Sequence, residues 1–251
     1  MDLELTDRVY VITGGARGLG RATADRLVAE GAKVVLSGRD EASLAAAVAE
    51  LGDAAVAVTA DNADPETPAR LVAAAREAFG RLDGVLVSVG GPPTGTVIGT
   101  SDEDWTKAFE SVFLGAVRVA RVIVEELDEG GSVTFVLSSS VRAPLPNLTI
   151  SNGLRPGLAM VAKTLADEVG PRGIRVNGLL PGRVGTERVA ELDASTGDAE
   201  AARERALKTI PLGRYGEPDE FGRVAAFLMS PASSFISGVM LPVDGGMLRA
   251  L

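Results

Sequence analysis

Short apolar, β-branched runs alternate with longer stretches of helical periodicity along nearly the whole chain. "RVYVIT" (8–13) is a run of the first kind and stops at glycines; such a run reads as a strand buried on both faces. From Gly18 to Glu30, Leu19, Ala22, Leu27 and Val28 recur at helical spacing, and Gly31 ends the segment. The pairing then repeats. Strands are predicted over 33–37, 54–60, 82–91, 131–140, 174–182 and 238–246, and helices over 40–51, about 65–79, about 102–128, 151–169 and 217–230. Acids open the helix at 40 and prolines the helices at 65 and 217, as the dipole and the missing proline N–H favour. Residues 183–215 are charged, Ala-rich and irregular in pattern.

Seven strands alternating strictly with helices predict an α/β fold with a parallel sheet covered on both faces. Right-handed crossovers make it a doubly wound, Rossmann-type sheet. No linker or break in composition divides residues 1–251, so a single domain is expected.

Composition narrows the chemistry. The 251 residues suffice for one substantial core, and 46% hydrophobic with 24% charged residues is ordinary for a globular chain. A net charge of −9 argues against nucleic acid or an anionic membrane as partner. The chain has no cysteine and no histidine. That excludes disulfides, thiolate catalysis, Cys/His zinc sites and Ser-His-Asp triads, and no metal site is expected. The N-terminus lacks a basic segment followed by an apolar one, and no apolar run could span a bilayer; a cytoplasmic protein is expected.

The first strand runs into "TGGARGLG" (13–20) and then a helix. Glycines here let the backbone approach a pyrophosphate, and the helix N–H groups face its charge. The spacing of Gly14, Gly18 and Gly20 is G-x-x-x-G-x-G, with Arg17 and Leu19 between. The second strand ends in Ser37, Gly38 and Arg39. Arginine at this place accommodates the 2′-phosphate of NADP, whereas an acid would hold the 2′-hydroxyl of NAD. With Arg17 as a second cation, NADP(H) is favoured; Asp40, one residue on, keeps NAD(H) open.

With "TGGARGLG", "AD" at 60–61, the strand and glycines at 82–91, Trp105, "GPRGIRVNGLLPG" at 170–182 and "ISGVMLPVDGG" at 236–246, the chain resembles the short-chain dehydrogenase/reductase family over nearly its whole length, within it the β-ketoacyl-carrier-protein-reductase-like branch. The resemblance implies a hydride transfer between the dinucleotide and a small carbonyl or alcohol. Gly14, Gly18 and Gly20 would cradle the pyrophosphate, Asp61 and Asn62 would flank the adenine, Gly90 would lie beside the cofactor, and Pro181, Gly182 and Thr186 would touch the nicotinamide end. The segment 183–215 would be the substrate lid, and a homodimer or homotetramer would form through the long helices.

The pattern breaks at the proton relay. The family uses a Tyr as proton donor, a Lys four residues later, a Ser that orients the substrate oxygen, and an Asn that holds a water. Here these positions fall on Ser151, Arg155, Ser138 and Val112, and the usual "NNAG" is "SVGG" at 88–91. Ser139 and Ser140 follow Ser138 directly. Ser151 and Arg155, at i and i+4, share a helix face. A serine alcohol is a far weaker acid than a phenol, and arginine stays protonated, so neither replaces the relay's proton chemistry. Arg155 can still grip a ribose or stabilise an oxyanion. Pro156 implies a helix that begins near Ser151 or is kinked there. Tyr10 reads as core, and Tyr215 as surface packing within reach of the cleft.

Two readings follow: an NADP-dependent oxidoreductase with an atypical site, or an NADP(H)-binding regulatory protein that has lost turnover. A serine hydrolase is disfavoured, since no histidine can act as base.

Overall fold

A computed structural model describes residues 1–250. Seven parallel strands form one sheet in the order β3-β2-β1-β4-β5-β6-β7: β1 (Val9–Thr13), β2 (Lys33–Gly38), β3 (Ala55–Thr59), β4 (Gly84–Val87), β5 (Ser132–Val136), β6 (Arg175–Pro181) and β7 (Met240–Val243). The helices are α1 (Gly18–Ala29), α2 (Glu41–Leu51), α3 (Thr67–Phe79), α4 (Asp102–Ala108), α5 (Gly115–Glu126), α6 (Thr149–Val169), α7 (Glu187–Ala194), α8 (Ala199–Leu207) and α9 (Pro218–Met229). The expected doubly wound α/β fold is therefore present.

Both faces of the sheet are covered, which is why the central strands read as unbroken apolar runs. Along β1 the side chains alternate between two cores: Val9 and Val11 face α3, α5 and α6, while Tyr10 and Ile12 face α1, α2 and α9. The Tyr10 hydroxyl donates to the Met229 carbonyl at 3.2 Å, so this buried phenol is satisfied within the core, as expected. No described helix is long and apolar enough to cross a membrane.

Four local expectations are corrected. The third helix starts at Thr67 rather than Pro65, because the Asp61 carbonyl accepts from the Thr67 hydroxyl and holds residues 61–66 as turns. The long helix expected over 102–128 contains a π-helical segment at Phe109–Leu114, an insertion that no 3.6-residue pattern reveals. The helix expected from Ser151 begins at Thr149, so Pro156 lies inside it and leaves the Asn152 carbonyl without its usual intrahelical donor. Residues 183–215 carry two ordered helices, α7 and α8.

Candidate active site

At β1 the strand order reverses: β2 lies on one side and β4 on the other. The crevice beyond the carboxyl ends of these strands is where doubly wound sheets bind ligands. Thr13 closes β1 and sews it to the exit of β4. Its hydroxyl donates to the Ser88 carbonyl and accepts from the Ser88 N–H, both at 2.8 Å.

The glycine turn follows. Gly14 has φ +60°, and a Cβ there would stand 2.7 Å from the Ser88 carbonyl oxygen. A Cβ on Gly20 would run into the Gly14 carbonyl oxygen, so α1 packs directly on the turn. Arg17 is the N-cap of α1 and makes no side-chain capping bond, and the first turn contains no acid. The first amides, at Gly18, Leu19 and Gly20, thus face the crevice end of the helix with its positive dipole uncompensated, as an anion requires.

The register Thr13↔Ser37 and a 3.0 Å bond from the Gly15 N–H to the Ser37 carbonyl bring the end of β2 beside this turn. Ser37 is buried and Arg39 exposed. Asp40 caps α2, one carboxylate oxygen accepting from the Ser43 N–H at 2.8 Å. Hydrogen bonding from Ser43 holds that carboxyl below its usual range. Asp61 caps its own turn through the Ala63 N–H at 3.0 Å, and the Asn62 backbone packs against Gly115 of α5, where a Cβ would meet the Asn62 carbonyl. Gly90 is exposed with nothing within 4 Å of a would-be Cβ. At the end of β6, the Gly182 N–H donates to the Val243 carbonyl, holding Pro181 and Gly182 at the edge of the crevice.

The segment after β6 reaches back over the turn. The Thr186 methyl lies 3.9 Å from the Cβ position of Gly18. Glu187 pairs with Arg17 at 3.4 Å, and the Arg188 guanidinium donates to the Pro92 carbonyl at 2.7 Å. The start of α7 is thereby tied to the glycine turn and to the loop after β4. Arg188 was not singled out by sequence, because nothing local marks which carbonyl a lid arginine will reach.

The root of this segment is a buried cluster, also invisible to sequence. Asp193 accepts from Arg183 at 2.8 Å and from the Tyr215 hydroxyl at 3.0 Å, and Arg203 stacks over the Tyr215 ring. Tyr215 is 5% exposed, so its expected surface role is corrected. Burial and the hydrogen bond to Asp193 raise its phenol above the ordinary value, which commits its proton to Asp193.

The other bank is built from β5 and α6. Ser138 is half-buried, and its Oγ accepts from the Ser140 N–H at 3.1 Å. Ser139 and Ser140 are buried. The Ser140 and Ser151 hydroxyls share a hydrogen bond at 3.3 Å, so the buried Ser151 meets Ser140 rather than capping the helix. Asn152 instead pins the preceding loop, exchanging two hydrogen bonds with the Leu145 backbone. Trp105 lies against Gly153, where a Cβ would stand 2.7 Å from the indole ring. Val112 is buried inside the π-helical segment.

Arg155 is buried where β4 and β5 end. Its guanidinium donates to the Val136 carbonyl and, at 3.4 Å, to the Val89 carbonyl. Burial pulls it down to about 10, which leaves it charged at neutral pH. Ser138, Ser151 and Arg155 thus gather on one bank of the crevice, and the glycine turn, Ser37 and Arg39 on the other.

A family model described as Enoyl-(Acyl carrier protein) reductase matches residues 14–248. The chain is 36% identical to L-rhamnose 1-dehydrogenase (NAD(P)(+)) from Azotobacter vinelandii, over 97% of each chain. Among solved structures it is similar to L-sorbose reductase from Gluconobacter frateurii complexed with NADPH and L-sorbose, with a TM-score of 0.94, 31% identity and 100% of both chains covered. It is also similar to 3-ketoacyl-(acyl-carrier-protein) reductase from Brucella melitensis complexed with NADH, with a TM-score of 0.87, 30% identity, 97% of this chain and 99% of that one covered.

Proposed function

Because this chain belongs to the short-chain dehydrogenase/reductase family of NAD(P)-dependent oxidoreductases, we propose that it transfers a hydride between NADP(H) and a small carbonyl or alcohol substrate at a site without the family's usual Tyr and Lys. The dinucleotide reading is carried by the glycine turn: its positive φ at Gly14, the contact between Gly20 and Gly14, and a helix start free of acids suit a pyrophosphate. Gly14, Arg17, Gly18, Leu19 and Gly20 would hold it. Asp61, Asn62 and Gly90 would border the adenosine half, and Pro181, Gly182 and Thr186 the nicotinamide half. The dinucleotide would supply or accept the hydride.

The preference for NADP(H) is supported by Arg39, exposed beside the turn. Ser138 would orient the substrate oxygen; it is the accessible member of the three serines. Arg155 would grip the ribose or stabilise charge. Residues 183–215 would act as the substrate lid, a role supported by the contacts of Glu187 with Arg17 and of Arg188 with the loop after β4. A homodimer or homotetramer is supported by apolar surface on the long helices, where Met160 is 65% exposed and Phe109, stacked on Phe113, is 43% exposed.

Titration with NADPH and NADH by calorimetry tests this reading. The expected result is NADPH binding at least about tenfold tighter than NADH, a difference of about 1.4 kcal/mol. Equal affinities would remove the preference, and no binding of either would remove the function. The engagement of Ser151 with Ser140 favours a second reading, an NADP(H)-binding regulatory protein without turnover. It requires tight NADPH binding with no hydride transfer to any acceptor, and it fails once the wild-type protein oxidises NADPH above the uncatalysed rate.

A further inference from the structure

Two arginines are buried in the core of this molecule, and their surroundings differ. Arg175 donates to the carbonyls of Leu228, Met229 and Ser230 and to the Ser233 hydroxyl. Its guanidinium is filled by the C-terminal end of α9, where carbonyls and the negative dipole favour a cation. Arg155 meets two carbonyls, forms no ion pair among the described residues, and leaves its buried Nε without a partner. A charge taken out of water without a counter-ion is unfavourable and is relieved by an anion or acceptor that arrives later. The ends of β4 and β5, where Arg155 is clamped, are where ligands reach a doubly wound sheet.

The candidate proton donors do not release protons near neutrality. Ser140 and Ser151 are alcohols bonded to each other, and the Tyr215 proton is held by Asp193. A simple ketone that accepts a hydride becomes a strongly basic alkoxide and needs a proton at once. A quinone becomes a delocalised anion of phenol type, whose conjugate acid has a pKa of about 10, and needs only a cation beside it.

We infer that Arg155 is an oxyanion receptor and that the substrate class is quinones. This rests on the reading of the chain as a dinucleotide-dependent reductase. The reduced dinucleotide would supply the hydride, two electrons and one proton. An O–H bond forms at one carbonyl oxygen, both C=O π bonds break as the ring becomes aromatic, and the other oxygen takes the negative charge beside Arg155. Water supplies the second proton after release, giving the hydroquinone.

The first test is an equilibrium one. 4-Nitrophenol is titrated with pH in the presence of protein and saturating NADP+, and its phenolate is followed by absorbance. Bound probe is expected to ionise about one pKa unit below free probe, a tenfold preference for the anion. Arg155→Met should abolish the shift and Arg155→Lys retain part of it. An unshifted probe on the wild-type protein, or a shift that survives in folded Arg155→Met, overturns the inference. The second test compares NADPH oxidation by menadione and by a saturated cyclic ketone, with no-enzyme controls. We expect kcat/KM about 100-fold higher for the quinone. Equal or faster turnover of the ketone or of a free sugar overturns the quinone assignment and leaves the reductase reading intact. NADPH binding without oxidation by any acceptor overturns both and supports the regulatory reading, and failure to bind NADPH removes the dinucleotide premise itself.

Discussion

On the bank of the crevice formed by β1 and α1, shape is set by backbone. Gly14 adopts φ +60° under the Ser88 carbonyl, Gly20 rests on Gly14, and the start of α1 is left without a side-chain cap. On the opposite bank, formed by β5 and α6, shape is set by side chains: Ser140 against Ser151, Asn152 on Leu145, Arg155 on the carbonyls of Val136 and Val89. A backbone site tolerates few residue types, so its chemistry is fixed by steric exclusion. A side-chain site can keep its geometry while its chemistry changes, because any residue that packs and satisfies its polar atoms can stand there. In this molecule the first bank joins a positive-φ glycine turn to an uncapped helix start, and the second fixes the buried Arg155 guanidinium on backbone carbonyls.

That contrast can be broken most forcefully at Gly14. Gly14→Ala places a Cβ 2.7 Å from the Ser88 oxygen at a positive φ. Strain and crowding together should cost about 2–4 kcal/mol in chemical denaturation. NADPH affinity should fall by about 100-fold or more in calorimetry. Unchanged affinity would mean that the turn is not the cradle.

Arg39→Ala comes next. It removes a charge from the edge of that bank without touching the backbone, so NADPH affinity should fall by roughly 10- to 100-fold, the worth of a charge-assisted bond to phosphate. NADH affinity should stay within about twofold. Parallel losses for the two cofactors would assign Arg39 a general electrostatic role instead.

The smallest change is expected at the root of the segment over the crevice. Tyr215→Phe removes the hydrogen bond to Asp193 and leaves that buried carboxylate with Arg183 alone. A local loss of about 1–2 kcal/mol should follow. Tryptic cleavage at Arg203, Arg205 or Lys208 should then quicken by roughly 5- to 30-fold while global denaturation changes little. Unaltered cleavage would show that the cluster does not hold the segment closed.

The legibility of the two banks follows the same division. "TGGARGLG" could be placed on a strand–turn–helix because glycine at positive φ and glycine under a carbonyl are local requirements, written in a few consecutive residues. Ser138, Ser151 and Arg155 could be located only through resemblance, and their partners not at all. Nothing near Arg155 in the chain announces Val136 or Val89. Nothing near Tyr215 announces Asp193, so it was read as surface. The π-helical segment at 109–114 escaped for a related reason: its apolar spacing fits an ordinary helix, and packing of Trp105 and Phe113 against α6 accompanies the extra residue.

By itself the sequence determined the alternation of strands and helices, the parallel sheet buried on both faces, the glycine turn at the first crossover, and the absence of histidine and cysteine chemistry, all of which depend on local periodicity, local backbone requirements or composition. The tertiary structure alone decided that Arg155 is buried without a counter-ion among the described residues, that Ser151 meets Ser140, and that residues 187 and 188 tie α7 to the glycine turn and to the loop after β4. These depend on which distant groups meet in the fold, and burial rather than residue type sets what a buried charge or hydroxyl can do.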